Sequence, residues 1–208
     1  MKKLLLFGLI IFQTISSYSQ INTDKISFEL RYPIPLGDNL LNKGFGDGYL
    51  GLIDIGVDYN VIETNRIGIG VLFNSSILRL SETDVTLFIL SPKIKIDYEI
   101  NINKFSIIPQ IGLGYSNWRF RAPAIMMTDE FGNPVEGEKY KENENGLTIK
   151  GGTKFVFNSS KNLNWYFQIA YEFTKLEKPD YGANDSKYNR NMHLLYPGIG
   201  LIWNFNKE

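Results

Sequence analysis

The sequence predicts an all-β fold: an eight-stranded antiparallel up-and-down transmembrane β-barrel that follows a cleaved signal peptide. Three observations predict it: residues alternate apolar and polar with a period of two, connections alternate between long and short, and aromatics cluster at the ends of the apolar faces. The clearest stretch is Phe105 to Trp118, FSIIPQIGLGYSNW. Phe105, Ile107, Pro109, Ile111, Leu113 and Tyr115 share one face. Ser106, Gln110, Gly112, Gly114 and Ser116 share the other. A strand with two chemically different faces and an aromatic at each end suits a membrane crossing of about 9–11 residues.

The other strands follow in order. The first, Ile26 to Ile34, sets Ile26, Phe28, Leu30, Tyr32 and Ile34 against Ser27, Glu29 and Arg31, and Pro33 and Pro35 end its regular pairing. A Gly-rich connection containing Gly44, Gly46 and Gly48 leads to the second, Gly51 to Asn60, where Ile53, Ile55, Val57 and Tyr59 alternate with Asp54, Gly56 and Asp58. The turn Glu63 to Arg66 leads to the third, Ile67 to Asn74, and Ser75 to Val85 reads as a moderately polar loop. The fourth, Thr86 to Tyr98, opposes Phe88, Leu90, Pro92, Ile94, Ile96 and Tyr98 to a face with Lys93, Lys95 and Asp97. A polar turn, Asn101 to Lys104, joins it to the fifth, Phe105 to Trp118. The longest interruption, Arg121 to Asn145, carries a Phe131-Gly132-Asn133-Pro134 turn signal and a charged run. The sixth strand is Gly146 to Asn158 and the seventh Asn164 to Lys175. After a polar loop, the last is Met192 to Phe205. Long connections fall on one side and short ones on the other, as in exported even-stranded barrels.

Residues 1–19 read as a signal peptide: Lys2-Lys3, an apolar core from Leu4 to Phe12, then Ser17-Tyr18-Ser19 before Gln20. Residues 20–208 read as one barrel domain, with no room for a second. No other stretch is long and apolar enough for a spanning helix. The 22 basic and 22 acidic residues balance, so no basic surface argues for nucleic acid. The chain has no cysteine, which excludes disulfides, zinc–thiolate sites and cysteine catalysis.

The same periodicity would serve a soluble, lipocalin-like ligand-binding barrel with its apolar face inward. The aromatic ends favour the membrane arrangement. Tyr59, Tyr98, Phe105, Phe157, Trp165, Trp203 and Phe205 are expected as a girdle on the short-turn side. Tyr32, Phe73, Tyr115 and Phe173, with Tyr196 as a further candidate, are expected on the long-loop side. Inward then come Glu29, Arg31, Asp54, Asp58, Lys93, Lys95, Asp97, Lys150, Lys154 and Glu172. In so narrow an interior they are expected to pair as a plug; a small-solute or ion path is the alternative.

Segments such as GLIDIGVDYN, IIPQIGLGYSNW and YPGIGLIWNF, with the signal and eight amphipathic strands, resemble the small outer-membrane β-barrel domain proteins of Gram-negative bacteria. The resemblance covers the mature chain and implies location in the bacterial outer membrane. Its implied partners are outer-membrane lipid, lipopolysaccharide and, during biogenesis, the barrel assembly machinery. A monomer with a structural or loop-binding role is expected. Phe45, Tyr49, Phe131 and Tyr140 are the candidate exposed loop contacts. Some relatives modify lipid A with His, Ser and an acidic residue at the external rim. Here the single His193 has Asn191 and Leu195 two residues away, so no enzyme is expected. No cofactor is expected, and Asp47, Asp54 and Asp58 lack the spacing of a calcium loop.

Overall fold

The computed structural model describes residues 25–37, 39, 41, 48–64, 66–81, 83–124, 126–128, 134–136, 139, 141–160, 162–177 and 190–205. The signal segment 1–19 and the loop candidates Phe45, Phe131 and Tyr140 lie outside the described residues. The strands are β1 (Lys25–Arg31), β2 (Ile34–Leu36), β3 (Tyr49–Thr64), β4 (Ile67–Leu80), β5 (Thr86–Tyr98), β6 (Ile100–Ile102), β7 (Phe105–Arg121), β8 (Met126–Thr128), β9 (Pro134–Glu136), β10 (Lys141–Phe157), β11 (Leu163–Leu176) and β12 (Asn191–Asn204).

Eight staves form the wall, in the order β1-β3-β4-β5-β7-β10-β11-β12, each antiparallel to its neighbours. The sheet closes where β1 meets β12, from Lys25 opposite Asn204 to Arg31 opposite Gly198. Closure leaves no edge to be satisfied by lipid. β2 carries the first stave on against β12, after an interruption at Tyr32 and Pro33. The proline has no N–H for the ladder, which accounts for the break. β6 carries the β5 stave on against β7, and β8 with β9 forms a separate two-stranded sheet.

The alternation of the sequence becomes two surfaces. On β7, Phe105, Ile111, Leu113 and Tyr115 are exposed on the outside, while Ser106, Gln110, Gly112 and Ser116 are buried. Ile94, Ile96, Leu147, Ile149, Phe167 and Ile169 continue the exposed apolar belt on neighbouring staves. A belt of this kind in water would be a large unburied apolar surface, so the polarity is that of a barrel solvated by lipid. The lipocalin-like alternative requires the opposite arrangement across the same staves.

The strands outrun the expected boundaries at the long-loop end. β4 continues to Leu80, β7 to Arg121, and β10 begins at Lys141 inside the charged run. In these extensions the alternation persists but its sense is reversed. Leu78, Leu80, Leu87, Ile89, Trp118, Phe120, Leu176, Met192, Leu194 and Tyr196 point in and are buried. Arg79, Arg119, Arg121, Lys141 and Lys175 occupy the outward positions and are exposed. The barrel therefore has two storeys: a lower one with apolar outside and charge inside, and an upper one arranged like a soluble barrel.

This reversal corrects three expectations. Tyr49, expected as an exposed loop contact, is only 3% exposed and packs edge-on to Phe120 at 6.3 Å. It begins β3 and joins the upper core instead of a loop tip. Tyr196 is fully buried, because its neighbours on the outward parity are Leu195 and Pro197. Phe73 lies at the middle of β4, opposite Pro92, because that strand does not stop at Asn74.

Candidate functional site

The lumen of the lower storey is the most chemically concentrated part of the molecule. Glu29 and Arg31 come from β1, Asp54 and Asp58 from β3, and Lys93, Lys95 and Asp97 from β5. Lys150 and Lys154 come from β10 and Glu172 from β11. The period of two turns each of them inward, and all ten are buried. Five carboxylates face five cations.

They form one connected system. Arg31 holds Glu29 at 2.6 Å through Nη1 and Asp54 at 2.5 Å through Nη2. Lys154 bridges Glu29 at 3.0 Å and Asp58 at 2.6 Å. Lys95 joins Asp58 at 2.5 Å and also pairs with Asp97. Lys93 pairs with Glu172 at 2.9 Å and donates to Asn74 Oδ1 at 2.8 Å. Asn74 and Ser76 donate in turn to Asp54. Lys150 is held most loosely, 3.9 Å from Glu29, with its ammonium 5.5 Å from the centre of the Tyr196 ring. Glycine makes the room: a Cβ on Gly56 would lie 2.6 Å from Arg31 Nη2 and 2.9 Å from Glu29 Oε2.

Apolar packing closes the lumen above and below this layer. Above lies the upper core, from Tyr196 to Trp118 and Phe120. Below lie Val156, Tyr166 and Ile202, with Ile108 against them. Tyr166 also places its ring 4.8 Å from the Lys154 ammonium. At the short-turn end Lys25 pairs with Glu63 and, at 3.0 Å, with Glu99. A small cavity of about 30 Å³ lies there, lined by residues that include Asp58, Asp97 and Lys154. That volume has room for ordered water beside the charge layer.

The aromatic positions divide. Tyr32, Tyr59, Tyr98, Phe105, Tyr115, Phe157, Trp165, Trp203 and Phe205 are exposed on the outer surface. Phe105 and Phe157 meet edge to face at 5.0 Å, and Trp203 stacks on Phe205 at 5.7 Å. Phe173 is half-buried against His193, 5.2 Å between rings. His193 points outward, opposite Phe173 and Leu36, and its Nδ1 shares a hydrogen bond with the Tyr171 hydroxyl. Among the described residues, the groups recorded against its ring are Tyr171 and Phe173. Among the described residues, no cluster of His, Cys, Asp or Glu is arranged to hold a metal ion.

Sequence reading missed the upper core and the polar residues that complete the charge layer, Asn74, Ser76 and Tyr196. The signal for the core was present in Ile77-Leu78-Arg79-Leu80, where the alternation runs on with its sense reversed.

No protein-family model matches the chain, and no curated protein matches it. Solved structures do. A major outer membrane protein from Thermus thermophilus is 12% identical, with 87% of this chain and 99% of that chain covered and a TM-score of 0.56. Neisserial surface protein A is 12% identical, with 87% and 96% covered and a TM-score of 0.50. At these identities the likeness is one of fold, and it agrees with the closed antiparallel wall and its apolar exterior. The chain has the fold of the small eight-stranded outer-membrane β-barrels.

Proposed function

We propose that the chain works in the bacterial outer membrane as a monomeric, non-conducting barrel that carries its long connections at the cell exterior. Its role in this reading is structural or loop-mediated binding, not catalysis. The observation that carries the reading is the filled lumen: a balanced layer of ten buried charges, closed by apolar side chains at both ends. Such a layer holds together only if every ion keeps its partners, which opposes a standing water path. Outer-membrane lipid and lipopolysaccharide are the surrounding partners, and the barrel assembly machinery is the partner during insertion. The amphipathic last strand with Trp203 and Phe205 supports that assembly role.

Single-channel recording in planar bilayers tests the reading. No conductance steps are expected over repeated insertions. Reproducible steps would replace it with the small-solute channel reading. Recovery of the protein in the aqueous periplasmic fraction would end both.

A further inference from the structure

One side chain of the upper core does not come from a stave. Leu78, Leu87, Trp118 and Met192 sit on ladder-paired strands, so the wall fixes their places. Leu41 lies between β2 and β3, outside both, yet it is fully buried in the same core. Its carbonyl accepts from the Tyr49 N–H at 2.6 Å, and its own N–H donates to Asn39 Oδ1 at 3.0 Å. Asn39 Nδ2 in turn donates to the Leu36 carbonyl at 2.8 Å. Gly37 and Gly48, on either side of Leu41, have φ of 78° and 82°. Glycine holds that left-handed conformation without strain, and small residues of this kind absorb the backbone change of a hinge. Leu41 is therefore a core side chain that can leave without unpairing the wall.

Trp118 supplies the second observation. It is fully buried, and among the described residues its indole N–H has no hydrogen-bond partner. That nitrogen is a donor only, and a buried tryptophan usually finds it an acceptor. Leu41, Leu78, Leu87 and Ile89 in the same core have no side-chain oxygen to offer. The donor thus bears the cost of its lost hydration with nothing in return. Leucine in this core leaves that cost standing, and a molecule of similar shape with one oxygen removes it.

Resting on the loop-mediated binding proposed above, we propose that the upper storey binds a small branched aliphatic molecule carrying one acceptor oxygen, whose apolar part takes the place held by Leu41. Leu41 swings out about Gly37 and Gly48, and the ligand enters from the long-loop end. Its hydrocarbon takes over the leucine's contacts, and its oxygen accepts from Trp118. The charge layer lies beneath, so the site is a pocket with one mouth. Charged ligands are refused, because the core offers them only hydrocarbon while Arg119 and Arg121 point outward.

The test uses the full barrel in nanodiscs with nitrogen-labelled tryptophan. The probe is methyl isobutyl ketone, which joins leucine's own isobutyl group to a carbonyl; isohexane, the same skeleton without the oxygen, is the control. Of the three tryptophans, Trp165 and Trp203 are exposed on the outer wall and report partition into lipid. The ketone is expected to move the Trp118 indole N–H resonance downfield and saturably, and isohexane to move it much less. Leu41→Ala should tighten ketone binding about tenfold, because the ligand no longer competes with a leucine side chain. Asn39→Ala frees Leu41 without emptying its place and should act in the same direction; it carries the test if Leu41→Ala loses heat-modifiable migration. Trp118→Phe should bind ketone and isohexane alike, read by saturation transfer to the probe. A Trp118 resonance that stays put in the unsubstituted protein and in both plug variants would overturn the proposal. So would equal shifts at all three tryptophans, or isohexane moving Trp118 as far as the ketone. Conductance steps in the unsubstituted protein would instead sink the non-conducting reading and leave the Trp118 result standing.

Discussion

The two storeys of this barrel are built on the same staves with opposite polarity. β7 shows both: Leu113 points out and Gly112 in below the switch, while Arg119 points out and Phe120 in above it. In lipid the outer surface contributes no hydrophobic drive toward an interior, so the lower lumen can be filled with ion pairs. Above the belt the outer surface meets headgroups and water, and the interior is apolar for the usual reason. The difference shows that solvent, not strand geometry, decides which face is apolar.

Substitutions can break that comparison. The largest effect is expected from Glu29→Ala, which strips partners from Arg31 and Lys154 in the charge layer. Asp54 and Asp58 remain, but removing the carboxylate that Arg31 and Lys154 share leaves a buried excess of positive charge, which costs about 3–5 kcal/mol. Urea unfolding from lipid vesicles, followed by heat-modifiable migration, measures it. In the upper storey, Leu78→Ala removes a fully buried side chain from an apolar core and should cost about 2–5 kcal/mol by the same assay. A third pair of changes works on the outside of β7. Leu113→Arg puts a charge on the lipid face and should cost about 2–4 kcal/mol. Arg119→Leu, on the same face above the switch, should stay within about 0.5 kcal/mol.

The smallest effect is one of pH. Glu144 lies in the upper extension of β10, and burial holds its carboxyl above the usual range even though Arg190 pulls the other way. An acid whose folded-state value is raised binds its proton more tightly folded than unfolded, so its contribution favours the fold at low pH and is lost as pH rises through the raised value. Glu144→Gln should remove that dependence. Unfolding midpoints measured on either side of the ordinary glutamate range would show it, and an unchanged pH slope would contradict it.

Much of this fold was legible in the sequence because lipid imposes a strict rule on each stave. Ile111, Leu113 and Tyr115 against Gly112 and Gly114 fix both the strand and its parity. The rule also hid the upper storey. Where apolar means outward, Leu78 and Phe120 have no place, so the third and fifth strands read as ending at Asn74 and Trp118. Tyr49 follows a Gly-rich run and reads as part of a loop. The inward positions of the charges follow from parity, but their pairing does not. Lys154 reaches Asp58 and Glu29 across the lumen, from staves distant in the chain, and only register and closure decide that.

The central claim is the reversal of polarity along one stave, and a cysteine scan of β7 tests it most directly. The chain has no native cysteine, so single spin labels at 107, 111, 113, 115, 117, 119 and 121 report only their own positions. In lipid vesicles the labels at 107, 111, 113 and 115 should collide mainly with oxygen dissolved in the bilayer. From 117 onward they should collide mainly with a water-soluble relaxation agent. Water accessibility at every one of these positions would contradict the account.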